Sequence, residues 1–433
     1  MKNLLLLELN ELNFDAVLLY IKKGILLPGF QRLFEKTSIC TQAESEYNNL
    51  EPWIQWPSVH TGKTYSEHKI FRLGDIVNSP LEQFFEKVER ANFTVGAISP
   101  MNASNNLINP AYFIPDPWTQ TSCDKSYFSN AINDAIVQAV NDNAQSKLTY
   151  KTIVNLIISF IALVTPLRWF SLAKFAITAI GKPWRKALFL DMLLYEIHKT
   201  LFKKKKPNFS TLFLNAGAHI QHHYFFNSIF SDSLYLKNPD WYIPKDQDPF
   251  LEMLKVYDYM LLDILSIKNN EVIIATGLSQ KPFENIKFYY RLKDHKLFLN
   301  LLDIEYSDVI PRMTRDFLIS FDNTKQAKQA EQRLSEIMVD NEVKLFEQID
   351  NRGKDIFVVL TYPSEISKET TIFINGKKLQ LDNLVTFVAI KNGEHQNKGF
   401  AYFTDEIANY APKHGSHVSE LNTSVLKFFK IIN

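Results

Sequence analysis

Four short stretches of the chain are almost wholly apolar and are separated by longer segments of mixed pattern: "NLLLLEL" (3–9), "FTVGAIS" (93–99), "STLFLNA" (210–216) and "EVIIATG" (271–277). Runs of this length without a polar alternation read as strands covered on both faces, the habit of a parallel sheet. Helical patterns lie between them. "NFDAVLLYIKKG" offers Asn13 as N-cap and Gly24 as stop, and "SPLEQFFEKVERAN" offers Ser79 ahead of Pro80. The expected fold class is therefore α/β, a mostly parallel central sheet flanked by helices. Ligands of such sheets collect beyond the carboxyl ends of the strands. Those ends fall at Glu8 to Glu11, Ser99 to Asn102, Asn215 to His223 and Thr276 to Gln280.

Two regions depart from this rhythm. Residues 125–206 read as a helical insertion or cap that contains "IVNLIISFIALVTPL" (153–167). That stretch is broken by Asn155, Ser159 and Thr165 and falls short of the ~20 apolar residues a membrane span needs. It leaves two readings, a core or cap helix and a peripheral membrane contact through 153–206. Lys203 to Lys206 read as a solvated turn before Pro207. Residues 312–390 read as a small α+β subdomain, strand, helix, then strands. The remaining segments, 1–124, 207–311 and 391–433, form the expected core.

Composition narrows the partners. Lysine and arginine number 48 against 47 acidic residues, so no net charge favours nucleic acid. Two cysteines are too few for a disulfide scaffold or a thiolate zinc site, which fits a reducing, cytoplasmic setting. "MKNLLLLELNEL" is interrupted by Glu8 and Glu11 and has no small-residue cleavage site, so it reads as the first strand. No glycine-rich phosphate loop occurs.

The candidate chemistry sits at the strand ends. "NAGAHIQHHYFF" (215–226) brings His219, His222 and His223 directly behind a strand. Histidine titrates near neutrality and suits acid–base work, while hydrogen-bonded packing accounts equally for a histidine in this place. Glu8 and Glu11 could be its carboxylate partners or ordinary strand-end caps. "EPWIQWPSVH" holds Trp53 and Trp56 among Glu51, Gln55 and His60. It reads either as a loop that platforms a sugar or base, or as core.

In order along the chain, "LLLLELNELNFDAVLLYIKKGILLPGFQRLFEKT", "EPWIQWPSVHTGKTYSEHKI", "AHIQHHYF", "EVIIATGLS" and "APKHGSHV" resemble successive motifs of the alkaline phosphatase superfamily, in particular its type I phosphodiesterase and nucleotide pyrophosphatase branch. Thr61, Gly62 and His68 fall in step with the second motif. The resemblance implies an alkaline phosphatase-like sheet, two divalent metals, typically zinc, and a serine or threonine nucleophile. Transferred by position, Glu8 replaces the first metal-binding aspartate, and His222 and His414 match two histidines. Ala218 stands where an aspartate is expected, and Thr276 and Gly277 replace an aspartate–histidine pair. No serine, threonine or cysteine lies between Ser45 and Ser58. The implied metal site is degenerate and leaves room for at most one divalent metal such as zinc, on Glu8, His222 and His414 or His417.

The expected catalytic set is Glu8, Glu11, His222 and His414. The expected substrate-binding set is Glu51, Trp53, Gln55, Trp56, His60, His219 and Thr276. Three functions stay open. One is a phosphodiesterase-like hydrolase acting on a phosphorylated or glycosyl substrate, for instance in glycoconjugate or surface polysaccharide metabolism. Another is a metal-independent transferase, such as a glycosyltransferase using a nucleotide sugar, and the third is a catalytically silent binding protein.

Overall fold

The computed structural model describes residues 2–141, 150–312 and 315–432, so the part of the expected insertion at 142–149 lies outside the described residues. The chain divides into two compact units, 1–282 with 393–433, and 283–392.

The first unit is built on a seven-stranded sheet. Its strands are β1 (Asn3–Leu9), β2 (Thr37–Gln42), β3 (Val95–Ile98), β4 (Tyr112–Ile114), β5 (Phe209–Leu214), β6 (Asn270–Ala275) and, after a two-stranded ribbon of β7 (Ser279–Leu292) with β8 (Val385–Gln396), β9 (Lys398–Phe403). The order is β2-β9-β6-β1-β5-β3-β4. The five strands from β6 to β4 run parallel, and β9 is antiparallel to both its neighbours. The all-apolar runs of the sequence are these central parallel strands, covered on both faces.

Side-chain alternation along β1 assigns its residues to two layers. Leu5, Leu7 and Leu9 enter one core, with helix α1 (Phe14–Lys22). Leu4 and Leu6 enter the other, with Trp56 and Val59 of helix α3 (Pro52–Thr61); α2 (Pro28–Phe34) lies between α1 and α3 in sequence. Asn13 caps α1 as expected, its side chain accepting from the amide of Ala16 at 3.1 Å.

Two local expectations change. The helix expected from Ser79 begins later, as α4 (Phe84–Arg90), because Gln83 and Glu86 form a capping box there while Ser79 closes the preceding turn onto the carbonyl of Ile76. The "EPWIQWPSVH" segment is not a loop. It is α3, with Pro52 in its first turn and Gly62 stopping it at a φ of 75°.

The 125–206 region is helical in its described parts: α5 (Tyr127–Asn141), α6 (Tyr150–Leu163), α7 (Pro166–Thr178) and α8 (Arg185–Lys205). No helix among the described residues is long and apolar enough to cross a membrane. Helices α9 (Ala216–Tyr224), α10 (Pro249–Ile264) and α11 (Glu420–Phe428) complete the first unit. The second unit holds two four-stranded sheets with antiparallel pairings and a helix at Thr324–Ser335. It starts at Phe283 rather than near 312, since the long strand β7 carries the chain into it.

Candidate metal centre

The chain leaves β1 through Asn10 and Glu11. The amide of Asn10 bonds to the carbonyl of Leu214 and that of Glu11 to the carbonyl of Thr276, each at 3.0 Å. Glu11 therefore sits above the ends of β1, β5 and β6, in a left-handed backbone conformation with φ of 59°. Gln221 of α9 fixes that turn, donating to the carbonyl of Glu11 at 2.9 Å while its Oε1 accepts from the amide of Asn13 at 3.1 Å.

Three ligand-type atoms from distant segments meet here. Glu11 Oε2 lies 3.1 Å from His222 Nε2 of α9 and 3.0 Å from His395 Nε2 at the end of β8, and the two Nε2 atoms are 3.2 Å apart. Among the described residues this is the group of three placed to hold a metal ion. The spacing of this donor set fits a cation. Zinc bonds of about 2.0–2.1 Å in a tetrahedron separate the ligand atoms by about 3.3 Å, close to all three observed edges. A face of three ligands leaves the fourth position open.

The surroundings hold this triangle. Glu11 Oε1 accepts from Asn10 Nδ2 at 3.2 Å, and Gln280 Nε2 donates to Glu11 Oε2 and to the carbonyl of Ala218. Asn10 is itself held by Trp56 Nε1 at 2.8 Å and by Asn215 Oδ1 at 2.8 Å. On the far side of the imidazole, His395 Nδ1 faces Glu51 Oε2 at 3.7 Å. Gly393 passes so close that a Cβ on it would stand 2.1 Å from Gln280 Oε1 and 2.7 Å from the carbonyl oxygen of Gln221. Only glycine fits this approach without displacement.

The electrostatics follow from the contacts. Burial opposes ionisation of Glu11, but the two imidazoles outweigh it and hold the carboxyl well below the usual range. Burial likewise opposes protonation of His395, yet Glu11 and Glu51 raise its pKa to about 9. With no metal bound, Glu11 and His395 are an ion pair at neutral pH.

Glu8, expected to bind beside His222, does not reach it. It alternates into the Trp56 layer with Leu4 and Leu6, where it is fully buried against His60 Nε2 at 3.4 Å. Among the described residues its other oxygen and His60 Nδ1 have no hydrogen-bond partner, and burial raises the Glu8 carboxyl pKa against the partial relief from His60. His414 is exposed, its Nδ1 accepting from the amide of Cys40 at 3.3 Å, and His417 faces Glu44 at 3.3 Å; neither joins the triangle.

The expected substrate-binding residues divide in the same way. Glu51 reaches the cluster and Trp56 orders it through Asn10. Gln55 is buried, bonding the amide of Glu44 and the carbonyl of Asn49, and Trp53 donates to the carbonyl of Phe71. Thr276 spends its hydroxyl on the amide of Phe400 at 2.9 Å. His219 stacks edge-on against His223, and burial pulls its pKa down to about 4.

His395 and Gly393 were absent from the sequence expectations, and Gln280 entered them only as the limit of a strand end. Glycine two positions before a histidine in "KNGEHQ" was the visible signal, but only the pairing of β7 with β8 carries that histidine to Glu11.

No protein-family model and no curated protein sequence matches the chain. It is similar in structure to members of the alkaline phosphatase superfamily. These include phosphonoacetate hydrolase from Sinorhizobium meliloti 1021, with 12% identity over 97% of this chain and 94% of that one and a TM-score of 0.40. Murine ectonucleotide pyrophosphatase/phosphodiesterase 5 has 11% identity over 100% and 96%, with a TM-score of 0.42. Alkaline phosphatase from the Antarctic bacterium TAB5 has 8% identity over 100% and 99%, with a TM-score of 0.43. At this level of likeness no residue role passes from those proteins to this one.

Proposed function

We propose that Glu11, His222 and His395 hold a single divalent cation, zinc by ligand type, in an enzyme acting on a phosphorylated small molecule or glycan phosphate. The observation that carries this reading is the triangle of 3.0, 3.1 and 3.2 Å edges, assembled from three separate chain segments. When bound, such a cation supplies a Lewis acid for a phosphoryl oxygen and an acidified water. The chain's own groups do the rest. Gln280 and Asn10 fix the carboxylate, the backbone of Leu50 holds His395 while Glu51 adds negative charge 3.7 Å from its Nδ1, and the partly exposed edge of His222 leaves a way in for substrate.

A second reading is favoured by one geometric feature: the His395 ring lies between two carboxylates, Glu11 at 3.0 Å and Glu51 at 3.7 Å, which favour its protonated form. An imidazolium paired with Glu11 is complete without metal and could serve a transferase acting on a nucleotide sugar, by charge stabilisation and proton donation.

Elemental analysis of protein purified without chelator separates the two. One equivalent of metal, lost in Glu11→Ala and His395→Ala, is the expected result. Metal-free protein that is stabilised by nucleotide sugars in the presence of chelator would replace the cation reading with the transferase. If neither metal nor any phosphorylated ligand binds, and the Glu11 and His222 variants behave as the parent, the chain is a silent protein. Turnover of generic aryl phosphate esters is expected to be low, because one cation neutralises less developing charge than two.

A further inference from the structure

We propose that the outward faces of α6 and α7 dock on an anionic lipid surface. The two helices are joined at Val164 and Thr165 and touch through Phe160 and Trp169, whose ring centroids are 5.9 Å apart. Around α7, Leu172 is buried on one side. On the other side Leu167, Phe170, Ile177 and, just past the helix, Ile180 are 81%, 80%, 68% and 91% exposed. At 100° per residue these four fall within one face, and the exposed Ala173 and Lys174 fall among them. α6 adds Ile157, Ile158 and Ile161, all exposed. Isolated apolar side chains at a surface need no explanation, but an aliphatic and aromatic face of this kind marks something to be covered.

Charge identifies the occupant. The whole chain is balanced, 48 basic against 47 acidic residues. Between Asp142 and Asp191 there is no acidic residue, and seven basic ones occur. Arg168 and Arg185 turn inward to Glu196 and Glu252, at 3.7 and 2.6 Å, whereas Lys174 and Lys186 stay exposed. An apolar helix face that carries a lysine and no carboxylate matches the boundary of a bilayer with anionic headgroups, where apolar side chains enter the acyl region and a long ammonium side chain reaches back to phosphate level. Trp169 is placed as an interfacial tryptophan, its Nε1 satisfied by the carbonyl of Val164 at 3.0 Å and part of its ring exposed. Neither helix is long enough to span, so the mode is adsorption in the plane of the surface.

The test is flotation of the full chain with vesicles of phosphatidylcholine, alone or mixed with phosphatidylglycerol. The parent should float with the mixed vesicles, and rising salt should release it. F170E/I177E should bind at least tenfold more weakly, and K174E/K186E should lose about fivefold per unit of charge removed. These side chains are exposed, so unchanged thermal melts should accompany the loss. As a second readout, brominated lipid should quench emission in the parent and much less in W169F. The proposal is overturned if the parent stays unbound to mixed vesicles, or if F170E/I177E floats like the parent. It is overturned equally if that variant instead abolishes a concentration-dependent self-association in vesicle-free sedimentation, which would make the face a contact between copies of this chain.

Discussion

Glu8 and Glu11 lie three residues apart at the end of one strand, and each meets histidine, yet they form opposite environments. Glu8 is sealed in the layer beneath α3, where His60 is its one partner and each side chain keeps an unpartnered polar atom. Glu11 is almost as buried, but it faces two imidazoles and two side-chain amides. Burial is the same; the number of donors differs. In Glu8 desolvation wins and the carboxyl is pushed toward its neutral form, whereas in Glu11 the donors win and the carboxylate is secured. A buried acid beside a histidine is thus not by itself an active pair. What distinguishes the two is whether enough hydrogen atoms point at the charge and whether solvent reaches the histidine.

The sharpest way to break this contrast is Glu11→Ala. It removes one of the three proposed ligands and is expected to weaken zinc binding by more than the 10–100-fold typical of an outer partner, as read by competition with a chelating dye. Gly393→Ala comes next. Its methyl group must push on Gln280 and the Gln221 carbonyl, so we expect a loss of roughly 1–3 kcal/mol in denaturant unfolding together with weaker zinc affinity. An unchanged midpoint would show that β8 has room to move.

The pH dependence of the metal-free protein sharpens the contrast further. Glu11 is depressed, so its share of stability is present above the unfolded carboxyl value of about 4.5 and is lost only as pH falls through its lower folded value. His395 is raised, so its share is fully present below about 6.5 and disappears as pH rises through about 9. In chelator, melting temperature should therefore decline from pH 6.5 to 9. With zinc present the stabilisation by metal should grow over the same window, because metal and proton compete for the same Nε2. The smallest effect is expected from Glu8→Gln. A neutral amide replaces a carboxyl already shifted toward neutrality, so stability should change by less than about 1 kcal/mol and zinc affinity should not change.

The same pair of residues measures how far the sequence could be read. Four of the seven strands were legible because they are short, almost wholly apolar runs between segments of mixed pattern, and "NLLLLEL" matches β1 residue for residue. Alternation along that strand already carried the information that Glu8 shares a face with Leu4 and Leu6, but the family motif drew Glu8 toward the metal. His222 and Glu11 were singled out because strand ends are few, and the structure brings the two side chains together. α3 was read as a loop because its two prolines and mixed pattern hide a helix whose every face except Trp53 is buried. His395 was out of reach for a different reason. It is 384 positions from Glu11, it follows no core strand, and only the return of the chain through β8 brings it back.

The left-handed backbone of Glu11 is a local cost that the contacts of its carboxylate offset. A side chain with a Cβ in this conformation costs roughly 1–2 kcal/mol, which glycine would avoid. Glycine or asparagine there would leave the two imidazoles and the side-chain amides of Asn10 and Gln280 facing no carboxylate, and breaking a buried pair of this kind costs about 3–5 kcal/mol, more than the strain it relieves. A library of variants sorted only for thermal resistance in chelator would therefore keep the carboxylate, and a stabilisation campaign would have no cause to drift from glutamate at this codon.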